Sequence, residues 1–227
     1  LRVSDIDAVF GILPQDPLCA LTLPEYLGLR PRFADNCRTG GSSFQIQAIV
    51  AALALDAGLC DAALICYGSN QRTLSRKLLT SGGVRFPSEA PSRPVNPASS
   101  YALAAARHMH EFGTTREQLA AVAVAARAWA NLNPDAFMHG ELSIAECLES
   151  RMVSDPLTVR DCCLVTDGAA AVVMTRADRA RDCRQTPIHL LGGAGATWHR
   201  YIMSAADVCR TAAIESGATA FAQAGVR

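Results

Sequence analysis

This sequence predicts an α/β protein, with a parallel sheet covered by helices. Two continuous apolar runs of strand length, "IDAVFGIL" (6–13) and "AALICYG" (62–68), lack the alternation of a half-exposed strand. That is the pattern of strands buried on both faces. Between them lies an apolar stretch of helical length, "SFQIQAIVAALALDAG" (43–58). A strand and helix pattern returns late in the chain with "GAAAVVMT" (168–175). Strands alternating with helices over short links imply parallel pairing.

The elements follow in order. After the first strand, "DPLCALTLPEYLG" (16–28) is predicted helical, with Asp16 as N-cap and Pro17 at the first helical position. "RFADNC" (32–37) is expected to be extended. In the helix over 43–58, Ser42 and Gln45 fit a capping box and Gly58 fits the stop. Its apolar residues lie on nearly every side, so burial all round is expected. Residues 69–98 gather proline, glycine and serine and read as a long excursion. A helix then runs from Asn96-Pro97 to Gly113. Another starts at Thr114 or Thr115 with Glu117 and Gln118 behind it, and "LSIAECLES" is a third, boxed by Ser143 and Glu146. Helices alone from about 97 to 150 read as an insertion in the α/β core. Then come a buried strand over 168–175, a solvated helix over 175–182, a strand into a glycine turn over 188–197, and a helix over 205–225 with a break at Gly217.

Composition narrows the function. The 227 residues carry 21 Lys+Arg and 21 Asp+Glu, so zero net charge gives no reason to propose nucleic acid or an anionic membrane as partner. No apolar run reaches the roughly 18 residues of a membrane span. Nine cysteines, an odd number, lie mostly inside apolar stretches without zinc spacing. They read as small core residues of a reduced, cytoplasmic protein. His108 and His110 are two apart on one helix and make a poor metal pair. His139, His189 and His199 are isolated. No metal or permanently bound cofactor is expected. "GGAG" (192–195) is too short for a dinucleotide fingerprint. The closing "FAQAGVR" and the opening "LRVSDIDAVFG" would join naturally as helix and strand. Two similar halves are therefore expected, with the chain cut at the same point of each.

Four segments, in this order, resemble the thiolase superfamily: "GGSSFQIQAIVAALALDAGLCDAALICYGSNQR", "YALAAARHMHEFGTTREQLAAVAVAARAWANLNP", "DPLTVRDCCLVTDGAAAVVMT" and "ATAFAQAGV". More narrowly, "GGSS" and "YGS" resemble a degenerate branch related to sterol-carrier-protein-x thiolases, in which that segment replaces the nucleophile motif. The resemblance implies a thiolase-like α-β-α-β-α layered fold, incomplete here, with a helical loop domain inserted. Residues 1–75 would be the first-half core, 76–155 a mostly helical lid, 156–185 the end of the first half and 186–227 the start of the second. It also implies coenzyme A thioester as substrate and a homodimer.

The family's nucleophilic cysteine lies seventeen residues ahead of the glycine that stops the buried helix. Here that glycine matches Gly58, and the slot falls on Gly41. Cys37 is four residues too early, outside the helix terminus that would lower its pKa. Ser42 could attack only with an adjacent base. Cys37 and Ser42 are thus the weak nucleophile candidates. Gly40, Gly41, Ser42 and Ser43 are read as the site that binds the thioester oxygen at the helix N-terminus. By resemblance, Cys163 stands where many thiolases touch the pantetheine arm, Asp167-Gly168 matches a cofactor-side turn, and Arg72 is a candidate for a phosphate.

Three functions remain open. The first is a thiolase-like acyltransferase that makes or breaks a carbon–carbon bond beside a thioester without a cysteine nucleophile. The second is a retro-aldolase on β-hydroxyacyl-CoA, such as steroid side chains, with a zinc-ribbon/OB-fold partner protein. The third is a non-catalytic acyl-CoA-binding subunit. The family's remaining catalytic groups belong to a later second half.

Overall fold

A computed structural model of the protein describes residues 1–14, 16–75 and 97–226. The chain forms two compact units: Leu1–Arg76 with Thr166–Thr197 and Ala212–Arg227, and Lys77–Val165 with Trp198–Thr211. Most of the proline-rich excursion, 76–96, lies outside the described residues.

The first unit is built on a four-stranded sheet in the order β2-β1-β3-β6. The strands are β1 (Ala8–Ile12), β2 (Phe33–Asp35), β3 (Ala62–Ser69) and β6 (Gly168–Thr175). β1 pairs in parallel with β2 and with β3. Alternate residues of the apolar runs face opposite layers. Ala8, Phe10, Ala63 and Ile65 meet Ala51, Ala54 and Leu55 of α2 (Ser43–Asp56). Val9 clusters with Ile6 and Ala62, and Leu23 of α1 (Cys19–Leu27) packs there.

Several expectations change. β6 pairs antiparallel with β3 along all eight residues, so the sheet is mixed. β6 is also exposed along most of its length, with Val172 at 57%. Its apolar run resembles an interior strand, yet it stands at one end of the strand order. α2 is not buried all round, since Gln45 and Leu53 face outward. α1 begins at Cys19 rather than at Pro17. Asp16 Oδ1 accepts from Leu18 N at 2.9 Å and thus caps the preceding turn. Residues 188–197 form no strand. Instead, "GGAG" passes close to its neighbours: a Cβ on Gly192 would lie 2.6 Å from Ala220 O, and one on Gly195 would strike Ile46. The last helix, α8 (Ala213–Ala224), starts later than expected and runs through Gly217 unbroken. The short helices α3 (Gln71–Ser75) and α7 (Ala177–Ala180) complete this unit.

Asp7 ties the start of β1 to its neighbours. It accepts from Asp61 N at 2.9 Å and Ala62 N at 2.8 Å, and its carboxylate pairs with Arg32 at 2.5 Å. Burial raises the Asp7 carboxyl, but the Ala62 N–H, Arg32 and the Asp61 N–H together bring it below the usual carboxylate range. A lowered folded pKa stabilises above the unfolded value of about 3.9 and is lost as pH falls through the folded one. Asp7→Ala is expected to lose about 2 kcal/mol at pH 7, from hydrogen bonds to a charged group. The loss should shrink toward pH 3, and denaturant titration at both pH values checks it.

The second unit holds α4 (Ala98–Phe112), α5 (Arg116–Ala130), α6 (Ile144–Glu149) and the hairpin β4 (Met152–Ser154) with β5 (Leu157–Thr158). Thr115 with Gln118 and Ser143 with Glu146 form complete capping boxes. Gly113 ends α4 in the left-handed region at φ 68°.

Candidate functional site

Beyond β2 the chain enters the "NCRTGGSS" segment along the C-terminal edge of the parallel strands, where α/β sheets collect ligands. Asn36 Nδ2 donates to Pro17 O at 2.6 Å, and Cys37 N donates to Asp35 Oδ1 at 3.1 Å. Gln47, fully buried on α2, donates from Nε2 to Gly11 O and to Cys37 O, each at 3.4 Å. Its Oε1 is buried with no partner among the described residues. Gln47 thereby fixes the half-buried Cys37 backbone against the end of β1.

Gly40–Ser42 form a 3-10 turn into α2, with Gly40 at φ 74°. The capping box expected from Ser42 and Gln45 does not form. Ser42 has φ −83° and ψ 1°, whereas a capping serine is extended. Its Oγ therefore turns back and donates to Thr39 O at 3.0 Å. Ser43 ties the turn together: its buried Oγ donates to Gly40 O at 2.6 Å and accepts from Thr39 N at 2.8 Å. Gly41 is exposed, and a Cβ there would meet no heavy atom within 4 Å. The first N–H groups of a helix have no intrahelical acceptor and carry its positive dipole end. An oxyanion is the natural ligand of such an end.

A cavity of about 590 Å³ lies at the ends of β1 and β3, lined by residues of 13–16, 68–70 and 167–169. Asp167 joins its walls. It accepts from Arg72 N at 2.8 Å and Thr73 N at 3.1 Å, and also from the Thr73 hydroxyl. The Thr73 hydroxyl, ahead of the two backbone N–H groups and the Arg72 charge, holds the Asp167 carboxyl below the usual range. Thus Asp167 of the Asp-Gly turn anchors α3 to the start of β6. Sequence reasoning singled out Asp167-Gly168 of this lining but not the cavity itself, and it missed Gln47. A glutamine pair inside an apolar helix run was the available signal for Gln47.

In the second unit Cys163 is exposed, beside a half-buried Cys162 whose thiol is pushed up by burial and then by the charge of Asp161. Ligand atoms of Glu111, Asp207 and Cys209 lie within 4.8 Å of one another. Arg107 pairs with Glu111 there, so the group is partly neutralised. Burial, Glu111 and Asp207 raise the Cys209 thiol, which disfavours the thiolate that a metal needs. All nine cysteines are free. Among the described residues no helix is long and apolar enough to cross a membrane.

No family model matches the chain. It is 39% identical over 127 residues to an acetyl-CoA acetyltransferase of Methanothermobacter thermautotrophicus, covering 56% of this chain and 33% of that protein. It is 33% identical over 182 residues to 17-hydroxy-3-oxo-4-pregnene-20-carboxyl-CoA lyase of Mycobacterium tuberculosis, covering 75% and 47%. The whole chain overlays the Ltp2-ChsH2(DUF35) aldolase structure with a TM-score of 0.86 and 26% identity, over 61% of that chain. The chain thus spans about a third to a half of the length of these curated relatives.

Proposed function

The chain belongs to the thiolase superfamily, on the side that sterol carrier protein 2 represents, and from that premise we propose that it binds an acyl-CoA thioester and works on the carbon–carbon bond beside the carbonyl without a cysteine nucleophile. One observation carries this reading: the 3-10 turn Gly40–Ser42 presents an open, side-chain-free position, Gly41, at the N-terminus of a 14-residue helix. The thioester oxygen would lie against the first N–H groups of α2, held by the Ser43 bonds to Thr39 and Gly40. Cys37 stays outside the turn, its carbonyl tied to Gln47. Coenzyme A thioester is thus a substrate rather than a resident cofactor.

The overlay on an aldolase structure and the identity to a CoA lyase support a second reading, retro-aldol cleavage. A general base takes the proton of a β-hydroxyl. The Cα–Cβ bond then breaks, giving a carbonyl product and an enolate whose oxygen sits at the α2 N-terminus. Protonation of the enolate yields the shortened thioester. In this reading a zinc-ribbon/OB-fold partner protein and a homodimer complete the assembly. Cys163 would approach the pantetheine arm, and nine free thiols fit the reducing cytoplasm.

Calorimetric titration with acetyl-CoA tests the binding claim. Cys37→Ala is expected to leave Kd within about twofold, since the side chain makes no part of the oxyanion turn. Loss of binding in Cys37→Ala, or no binding by the unaltered protein, would sink the reading. Copurification of a partner and release of a carbonyl product from a β-hydroxyacyl-CoA distinguish the aldol form.

A further inference from the structure

The buried face of α2 changes character along its length. Ser43, Gln47, Ala51, Ala54 and Leu55 are its buried residues, and their spacing puts them on one stripe. The last three pack into the core with Phe10, Ala63 and Ile65 of the sheet. The first two are polar, and both are fully buried. A helical side chain leans toward the N-terminus of its helix, so Ser43 and Gln47 reach back to the segment ahead of the turn. Ser43 Oγ accepts from Thr39 N and donates to Gly40 O, while Gln47 Nε2 donates to Cys37 O. Two side chains one helical turn apart thus hold three backbone atoms of residues 37–40, immediately before Gly41.

Gln47 makes this contact at an energetic disadvantage. Its bonds to Gly11 O and Cys37 O are 3.4 Å each, longer than a well-made N–H···O bond. Gly11 O already accepts from the Cys19 thiol at 3.0 Å. Alone among the buried side-chain polar atoms of the described residues, Gln47 Oε1 has no partner. Turning the amide over would set that oxygen against two carbonyl oxygens, so a flip gives no relief. Burying an amide oxygen unpaired is unfavourable, and two long bonds return little. An apolar side chain of the same length would fill the space without the orphaned oxygen. The core therefore gains nothing from a glutamine here. The 37–40 segment does gain, since Gln47 gives Cys37 O its side-chain donor.

From the thioester-binding reading, on which this step rests, we propose that Gln47 is a positioning residue, which acts through the backbone of residues 37–40 to place Gly41 at the open end of α2, and which the fold keeps at a loss of stability. Gln47 itself touches no ligand in this arrangement. Its effect reaches the thioester oxygen through the turn, and it does not reach the rest of coenzyme A.

Gln47→Met keeps the length of the side chain and removes its polar atoms. Its thermal midpoint is expected to match that of the unaltered protein or exceed it by up to about 4 °C. By calorimetry its Kd for acetyl-CoA should weaken about tenfold, as for one lost hydrogen bond, and its Kd for free CoA should stay within about twofold. Alkylation of Cys37 by iodoacetamide, read by peptide mass mapping without ligand, should quicken about fivefold as the segment opens locally. Ala51→Gly, on the apolar part of the same stripe, should lower the midpoint and change neither the acetyl-CoA to CoA affinity ratio nor the Cys37 rate. A lowered midpoint in Gln47→Met with that ratio and rate unchanged would make Gln47 an ordinary core residue and overturn the proposal. So would a Gln47→Met that fails to fold, or one that equals the unaltered protein in every measurement. If the unaltered protein does not bind acetyl-CoA, the proposed function fails. The midpoint and the Cys37 rate then still decide whether Gln47 holds the segment.

Discussion

Gly41→Cys is expected to create a thiol that coenzyme A thioesters acylate. A Cβ at this position meets nothing within 4 Å, and the glycine needs no left-handed backbone. The new sulfur would stand at the N-terminus of α2, where the dipole and free N–H groups favour the thiolate and the developing oxyanion. The thiolate attacks the thioester carbonyl, the carbon–sulfur bond to CoA breaks, and CoA leaves as its thiol. Incubation of Gly41→Cys with acetyl-CoA should give one acetyl group on the peptide holding residue 41 and an equal amount of free CoA. The unaltered protein should show neither. No adduct in a folded variant that still binds acetyl-CoA would mean that the turn does not present the carbonyl as described.

Phe10→Ala carries the largest expected loss of stability. Phe10 is fully buried at the centre of β1, between α2 and Phe33, whose ring lies 5.6 Å away. Deleting a buried phenylalanine ring removes its transfer energy and leaves a cavity, about 3–5 kcal/mol in all. The thermal midpoint should fall by on the order of 10 °C for a chain of this size. Phe10→Leu should lose less than half as much. Equal midpoints for Phe10→Ala and the unaltered protein would contradict the assignment of this layer as the core.

The sequence made the local elements legible because their signals are local. The apolar runs at 6–13 and 62–68 became β1 and β3, and the boxes at Thr115 and Ser143 formed as read. Ser42 carried the same kind of signal and failed. The preceding glycines put it in a 3-10 turn, so its hydroxyl faces Thr39 instead of the helix. β6 was legible as a strand, but its direction and exposure depend on what lies beside it, which composition does not encode. The run at 188–197 has strand-like residues yet lies as an irregular segment against α2 and α8, where glycine allows close approach. Gly41 was singled out by carrying the spacing of the thiolase motif back from Gly58, which rests on the resemblance and not on any local signal. The cavity joins residues near 16, 69 and 167, segments distant in sequence that the β1–β3 and β3–β6 pairings and the Asp167 clamp on α3 bring together.

Peptide mass mapping of the unaltered protein after incubation with acetyl-CoA and with 3-hydroxybutyryl-CoA tests most directly the proposal that the site works without a covalent nucleophile. With thioester binding intact, the peptide carrying Cys37 is expected to remain unacylated, as are Ser42 and Ser43. An acyl group on Cys37 would contradict that expectation and restore covalent chemistry with a nucleophile four residues ahead of Gly41.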